Sequence, residues 1–302
     1  MNDLLSIADL DAASLRKLLD RADAFRRAGR VRQPILDGRS VALLFEKPST
    51  RTRVSFEVAV ARLGAHPVVL SAAESQLGRG ETIADTGRTL SRYVDAIVWR
   101  TYGQDRLETM AEAADVPVIN ALSDLEHPCQ ALADLATMRW KLGPLDAVTL
   151  AYVGDGNNVV HSLLLAAALS GMELRCVTPP GFAPDPVIVA RATTLAAEHG
   201  GPAPVVTTDL AAIDGVDAIY TDVWTSMGAE AETEARRAAF ADYQVNAALV
   251  ARAPDAVILH CLPAHRGEEI TDEVIDSPRS LVWDQAEHRL HAQCAVLEAL
   301  IR

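Results

Sequence analysis

The chain has 302 residues, of which 49% are hydrophobic and 23% charged, with 17 Gly and 15 Pro; this composition excludes disordered, collagenous and low-complexity classes. A formal net charge of -13 from 28 basic and 41 acidic residues repels polyanions, which argues against nucleic acid or an anionic membrane as partner and leaves small anions to local basic sites. At this length a single core has usually stopped growing, so two domains are expected.

Residues 1–20 carry acidic side chains too early for a transit peptide and no unbroken apolar run, and no uncharged stretch approaches the roughly 20 residues of a membrane helix. Cys129, Cys176, Cys261 and Cys294 show no paired spacing, which suits reduced thiols of a cytoplasmic protein better than a disulfide framework.

Behind an N-terminal helical region, short β-rich runs alternate with helical stretches, the mark of βα units and a parallel sheet. The runs are 41–45, 67–72, 96–100 and 116–121, then 148–154, 173–178, 204–208, 218–223 and 257–262. Between the two groups, Lys141-Leu142-Gly143-Pro144 reads as a helix end followed by a breaker. The expected fold is therefore α/β, two doubly wound parallel-sheet domains spanning residues 1–142 and 143–283. A last helix over about 284–302 packs back onto the first domain.

In open parallel sheets ligands sit outside the carboxyl ends of the strands, so the residues after each run carry the functional reading. The first run leads into Ser49-Thr50-Arg51-Thr52-Arg53 and an apolar-periodic helix, with Ser49 at the N-cap. Free N–H groups, hydroxyls and a guanidinium fork there suit a phosphate. A surface pair of Arg53 with Glu57, one turn on, is the plainer alternative. Arg100 ends the third run, and His127-Pro128-Cys129-Gln130 follows the fourth with Pro near a helix start. Gly154-Asp155-Gly156-Asn157-Asn158-Val159 follows the fifth run but lacks the third glycine of a dinucleotide fingerprint, so nicotinamide binding is not expected.

These segments resemble the aspartate and ornithine carbamoyltransferase family. Ser49, Thr50, Arg51 and Thr52 look like its carbamoyl-phosphate loop, and Arg100, His127, Pro128, Cys129, Gln130 and Arg289 stand where the family contacts that substrate. Gln76, in the loop 75–81, resembles a residue offered to a neighbouring subunit's site, which implies a homotrimer with shared sites. Asp222 to Gly228 resembles the ornithine enzymes' loop, with Asp222 facing an ammonium and Ser226 and Met227 holding the amino-acid end. Asn158 matches a substrate-carboxylate contact. Cys261 and Leu262, in His260-Cys261-Leu262-Pro263, are placed by the resemblance near the attacking amine and the carbamoyl group.

The resemblance implies transfer of a carbamoyl group from carbamoyl phosphate to the δ-amine of L-ornithine, in a cleft between the domains. Arg100, His127, Cys261 and Asp222 carry the chemistry, in the service of arginine biosynthesis. No cofactor is needed, because phosphate is already a leaving group. A zinc set of His260, Cys261, His265 and His127 lacks the usual spacing pairs, so no metal is expected. Another amine, such as putrescine or an N-acylornithine, is the nearest rival; a binding module without turnover is the rival from a different class.

Overall fold

The computed structural model describes residues 2–71, 76–225 and 233–301. The chain divides into two compact units, residues 1–136 with 287–302 and residues 137–286; the division falls within two helices.

All of the expected strands form. β1 (Ser40–Phe45), β2 (His66–Ser71), β3 (Ala96–Arg100) and β4 (Val118–Leu122) build a parallel sheet in the order β2-β1-β3-β4. β5 (Thr149–Val153), β6 (Glu173–Val177), β7 (Val205–Thr207), β8 (Ala218–Thr221) and β9 (Val257–His260) build a second one, β7-β6-β5-β8-β9. The helices between and around them are α1 (Ala12–Ala28), α2 (Thr50–Arg62), α3 (Ile83–Leu90), α4 (Gln104–Ala113), α5 (Pro128–Leu142), α6 (Asn158–Ser170), α7 (Pro186–His199), α8 (Thr233–Phe240), α9 (Ala247–Val250), α10 (Asp272–Ile275) and α11 (Val282–Leu300).

Central strands such as Val41-Ala42-Leu43-Leu44 are apolar at consecutive positions because helices cover both faces of a parallel sheet. In the first unit Leu44, Ile97 and Trp99 from the sheet pack with Leu107 and Met110 of α4; truncating the fully buried Trp99 to Ala would cost about 3–5 kcal/mol. In the second, Val153, Ile219 and Ile258 pack with Val250, Val274 and Val282. Edge strand β7 is shorter than its run suggests, with Val205 and Val206 exposed. β8 and β9 stop at Thr221 and His260, so Asp222 and Cys261, read as strand residues from the sequence, begin the loops. Among the described residues no helix is long and apolar enough to cross a membrane.

Candidate active site

In each parallel sheet the order in which successive strands are added reverses near the middle, the switch point at which open α/β sheets bind ligands. In the first unit that point lies between β1 and β3, whose last residues Phe45 and Arg100 are register partners. The register to β4 shifts between Trp99 and Arg100, an irregularity that re-aims a side chain at a strand end. The loop after β1 is anchored by Lys47, which is buried, donates to Asp124 at 2.5 Å and lies 4.3 Å over the Tyr102 ring. Ser49 then occupies the N-cap of α2, but its side chain makes no capping bond. The helix start thus keeps donors and positive dipole for an anion. Thr50 and Arg51 are exposed there, while Arg53 pairs with Glu57 at 2.8 Å, as the plainer reading of that arginine has it.

Arg289 of α11 is buried and ties three elements together. Its Nη1 donates to Gln130 Oε1 at 2.5 Å and its Nη2 to Thr52 Oγ1 at 3.0 Å. Gln130 Nε2 donates in turn to Asp134 at 2.7 Å, so both ends of this amide are engaged, with a second lone pair remaining on Oε1. Burial, and then the charges of Arg289 and Arg100, hold the His127 imidazole well below its ordinary pKa. At neutral pH it is therefore a neutral hydrogen-bond donor rather than a cation. Pro128 opens α5 as expected. Cys129 turns inward: its thiol donates to the Asn120 carbonyl at 3.6 Å, and burial pushes it up to about 12, which removes it as a nucleophile. Gln76 is exposed at the start of a short turn, Leu77–Arg79, and has no hydrogen bond to the groups above among the described residues. Ser75 lies outside them.

In the second unit the switch point lies between β5 and β8, and the loops after both meet at Asp222. This carboxylate is buried; it accepts from Cys261 Sγ at 2.9 Å and from Asn157 Nδ2 at 2.8 Å. Asn157 also caps α6, its Oδ1 accepting from the Val159 and Val160 N–H groups. Those donors are the ones a dinucleotide pyrophosphate would need. Gly156 serves packing instead: a Cβ there would lie 2.3 Å from the Pro184 nitrogen. Asn158 is the first residue of α6 and half-buried. Ser226 and Met227 fall outside the described residues.

Donor atoms of Asp222, His260 and Cys261 lie within 4.8 Å of one another. Even so, the set does not fit a metal. His260 Nδ1 accepts from the Leu262 N–H at 2.8 Å and Nε2 bonds Glu269 at 2.9 Å, so neither ring nitrogen is available to an ion.

Three supports have no signal in the sequence. Arg236 of α8 stands beside Arg237, which pairs with Glu268. Arg236 instead binds Asp155 at 3.0 Å and the Trp224 carbonyl at 2.7 Å, with its guanidinium 5.0 Å from the Phe182 ring. Burial raises Asp155 to about 6 against the opposing pull of Arg236. The other two are Lys47 with Asp124 and Glu269 with His260. The first two pairs join residues far apart in the chain and the third residues nine apart, and only their bare residue types could have hinted at them.

The first parallel-sheet unit thus has open helix-start donors at its switch point, and the second a buried carboxylate among amide and thiol donors. The aspartate/ornithine carbamoyltransferase family model for the carbamoyl-P binding domain matches residues 2–140, and that for the Asp/Orn binding domain matches residues 146–300. The chain belongs to this family. A relative from Parafrankia sp. (strain EAN1pec), named ornithine carbamoyltransferase, is 56% identical over 297 residues, 97% of this chain and 94% of its own. One from Pyrococcus furiosus, named ornithine carbamoyltransferase, anabolic, is 53% identical over 98% of this chain and 95% of its own. The solved structure of ornithine carbamoyltransferase from Pyrococcus furiosus matches with a TM-score of 0.95 at 52% identity, covering 99% of this chain and 97% of that one.

Proposed function

We propose that this enzyme transfers the carbamoyl group of carbamoyl phosphate to the δ-amine of L-ornithine, giving L-citrulline and phosphate. The observation that carries the reading is Asp222: buried, held by a thiol and an amide, and with no cation in ion-pair distance among the described residues. Such a carboxylate seeks an ammonium or amine. An aspartate co-substrate would call for cationic groups there instead. The names of the relatives favour ornithine over putrescine or an N-acylornithine.

In the first unit, Ser49, Thr50, Arg51, Thr52 and Arg289 hold the phosphate, with Gln76 arriving from a neighbouring copy in a homotrimer. Arg100 and the neutral His127 donate to the carbonyl oxygen as it gains negative charge. Gln130 Oε1 accepts from the carbamoyl amide, and Pro128 and Cys129 contribute backbone at the start of α5. In the second unit, Asp222 and Cys261 take up the ammonium and help keep the nitrogen deprotonated. Asn158, Ser226 and Met227 hold the amino-acid end, and the Leu262 carbonyl orients the carbamoyl group. The nitrogen attacks the carbamoyl carbon, the carbon–oxygen bond to phosphate breaks, and the amine proton is lost to a base. No cofactor enters this scheme. A cytoplasmic role in arginine biosynthesis is the setting that suits the reaction.

The test is phosphate release with carbamoyl phosphate and a panel of ornithine, aspartate, putrescine and N-acetylornithine. Turnover with ornithine alone is expected. Equal turnover with putrescine would contradict the proposed grip on the amino-acid end.

A further inference from the structure

The 260–263 segment rests on a buried pair to which the scheme above gives no part. His260 and Glu269 are both fully buried. Glu269 Oε1 accepts from the His265 N–H at 2.6 Å and lies 2.9 Å from His260 Nε2. On the other side of the ring, Nδ1 accepts from the Leu262 N–H at 2.8 Å. A nitrogen that accepts from a backbone N–H carries no proton itself, so the ring proton sits on Nε2 and is donated to Glu269. The peptide nitrogen of His260 is fixed as well, donating to Gln285 Oε1 at 2.9 Å.

Leu262 has a φ of 59°, in the left-handed region that side chains other than glycine, Asn or Asp rarely adopt. Strained residues of this kind persist where their surroundings over-determine them, and they concentrate at functional sites. Here the determinant is visible: the N–H of the strained residue is held by the imidazole, and the imidazole is held by Glu269.

We propose that Glu269 is a positioning residue for transfer, acting through His260. By fixing the Nε2–H tautomer it leaves Nδ1 as an acceptor, which holds Leu262 in its left-handed turn and so presents the Leu262 carbonyl and the Cys261 thiol in one fixed arrangement. The same logic governs metal sites, where an outer carboxylate sets the tautomer and ring orientation of a histidine. The inference rests on the function proposed above.

The test compares His260→Asn with His260→Gln, and Glu269→Gln with Glu269→Ala, in citrulline formation and thermal unfolding. An Asn side-chain oxygen sits near the place of Nδ1 and can accept from the Leu262 N–H. A Gln amide reaches the place of Nε2 and keeps only the Glu269 side. H260N is expected to retain at least about tenfold more kcat than H260Q, and E269Q more than E269A, with the poorer variant of each pair losing about 10–100-fold. The KM for carbamoyl phosphate should change less than about threefold, because the phosphate grip lies in the other unit. Equal kcat within both pairs, H260Q above H260N, or losses that merely follow Tm would overturn the proposal. Should one His260 variant not fold, the Glu269 pair decides alone. Wild-type enzyme that makes no citrulline would instead overturn the proposed function, which separates the two failures.

Discussion

Two helices begin at the switch points of the two sheets, and they begin in opposite ways. At α2 the N-cap Ser49 withholds its side chain from the helix, so the positive end of the helix stays open to an anion. At α6 the N-cap Asn157 closes two backbone N–H groups with its oxygen and spends its amide on Asp222. One start keeps its backbone donors open, while the other is consumed in holding a carboxylate. The same contrast runs through the charges: Arg100 and Arg289 act on a neutral imidazole in the first unit, whereas Asp222 and Asp155 lie among thiol, amide and the Arg236 guanidinium in the second. Equivalent positions in two similar folds thus differ in charge through the capping residue and its neighbours, and the proposed function assigns them substrate groups of opposite charge.

The contrast breaks most sharply at Arg51. Arg51→Ala should weaken carbamoyl phosphate by about 100-fold or more, as expected when a charged donor to an anion is lost, with the KM for ornithine little changed; steady-state kinetics decide.

Acid should separate the units next. His127 and His291, in the first unit, are held below their ordinary value by burial, His291 at about 4. Their depressed values favour the neutral ring, so the stability they provide is present above about 6.5 and is lost as pH falls through the folded value. Asp155 is raised to about 6 and has the opposite sign: its contribution is present below 3.8 and is lost as pH rises through about 6. Removing His291 as Asn should therefore flatten the loss of stability between pH 6.5 and 4, by up to about 3 kcal/mol. Asp155→Asn should remove a gain of similar size over the same window. Urea unfolding at pH 7 and at pH 4.5 measures both.

The smallest effects belong to the caps. Asn157→Ala should cost about 1–2 kcal/mol, the usual toll of a lost N-cap bond, and Ser49→Ala under about 0.5 kcal/mol, because no such bond exists. Chemical denaturation of the two variants compares them directly.

Strand positions and the run of strand-end motifs were legible because the cores of parallel sheets leave continuous apolar runs, and ligand chemistry must follow them. The motif at Gly154 to Asn158 was legible in place but not in cause: the glycine at 156 admits the backbone at Ala183 and Pro184, a neighbour that no local spacing reveals. Loop starts at Asp222 and Cys261 were read as strand because Thr221-Asp222-Val223 and His260-Cys261-Leu262 continue apolar runs. In the fold both lie just past the ladder and are joined to each other, Cys261 donating to Asp222 and Asn157 donating to the same carboxylate. Arg236 and Lys47 stayed hidden because each finds its carboxylate far away in the chain, and Glu269 because nothing in the local pattern marks it for burial against His260, nine residues off.

The division of labour between the units is tested most directly by calorimetric titration of carbamoyl phosphate into wild type, Arg289→Ala and Asp222→Asn. Affinity is expected to collapse in the Arg289 variant, which loses the guanidinium held by Thr52 and Gln130, and to stay at the wild-type value in the Asp222 variant. Equal losses in both variants would contradict it.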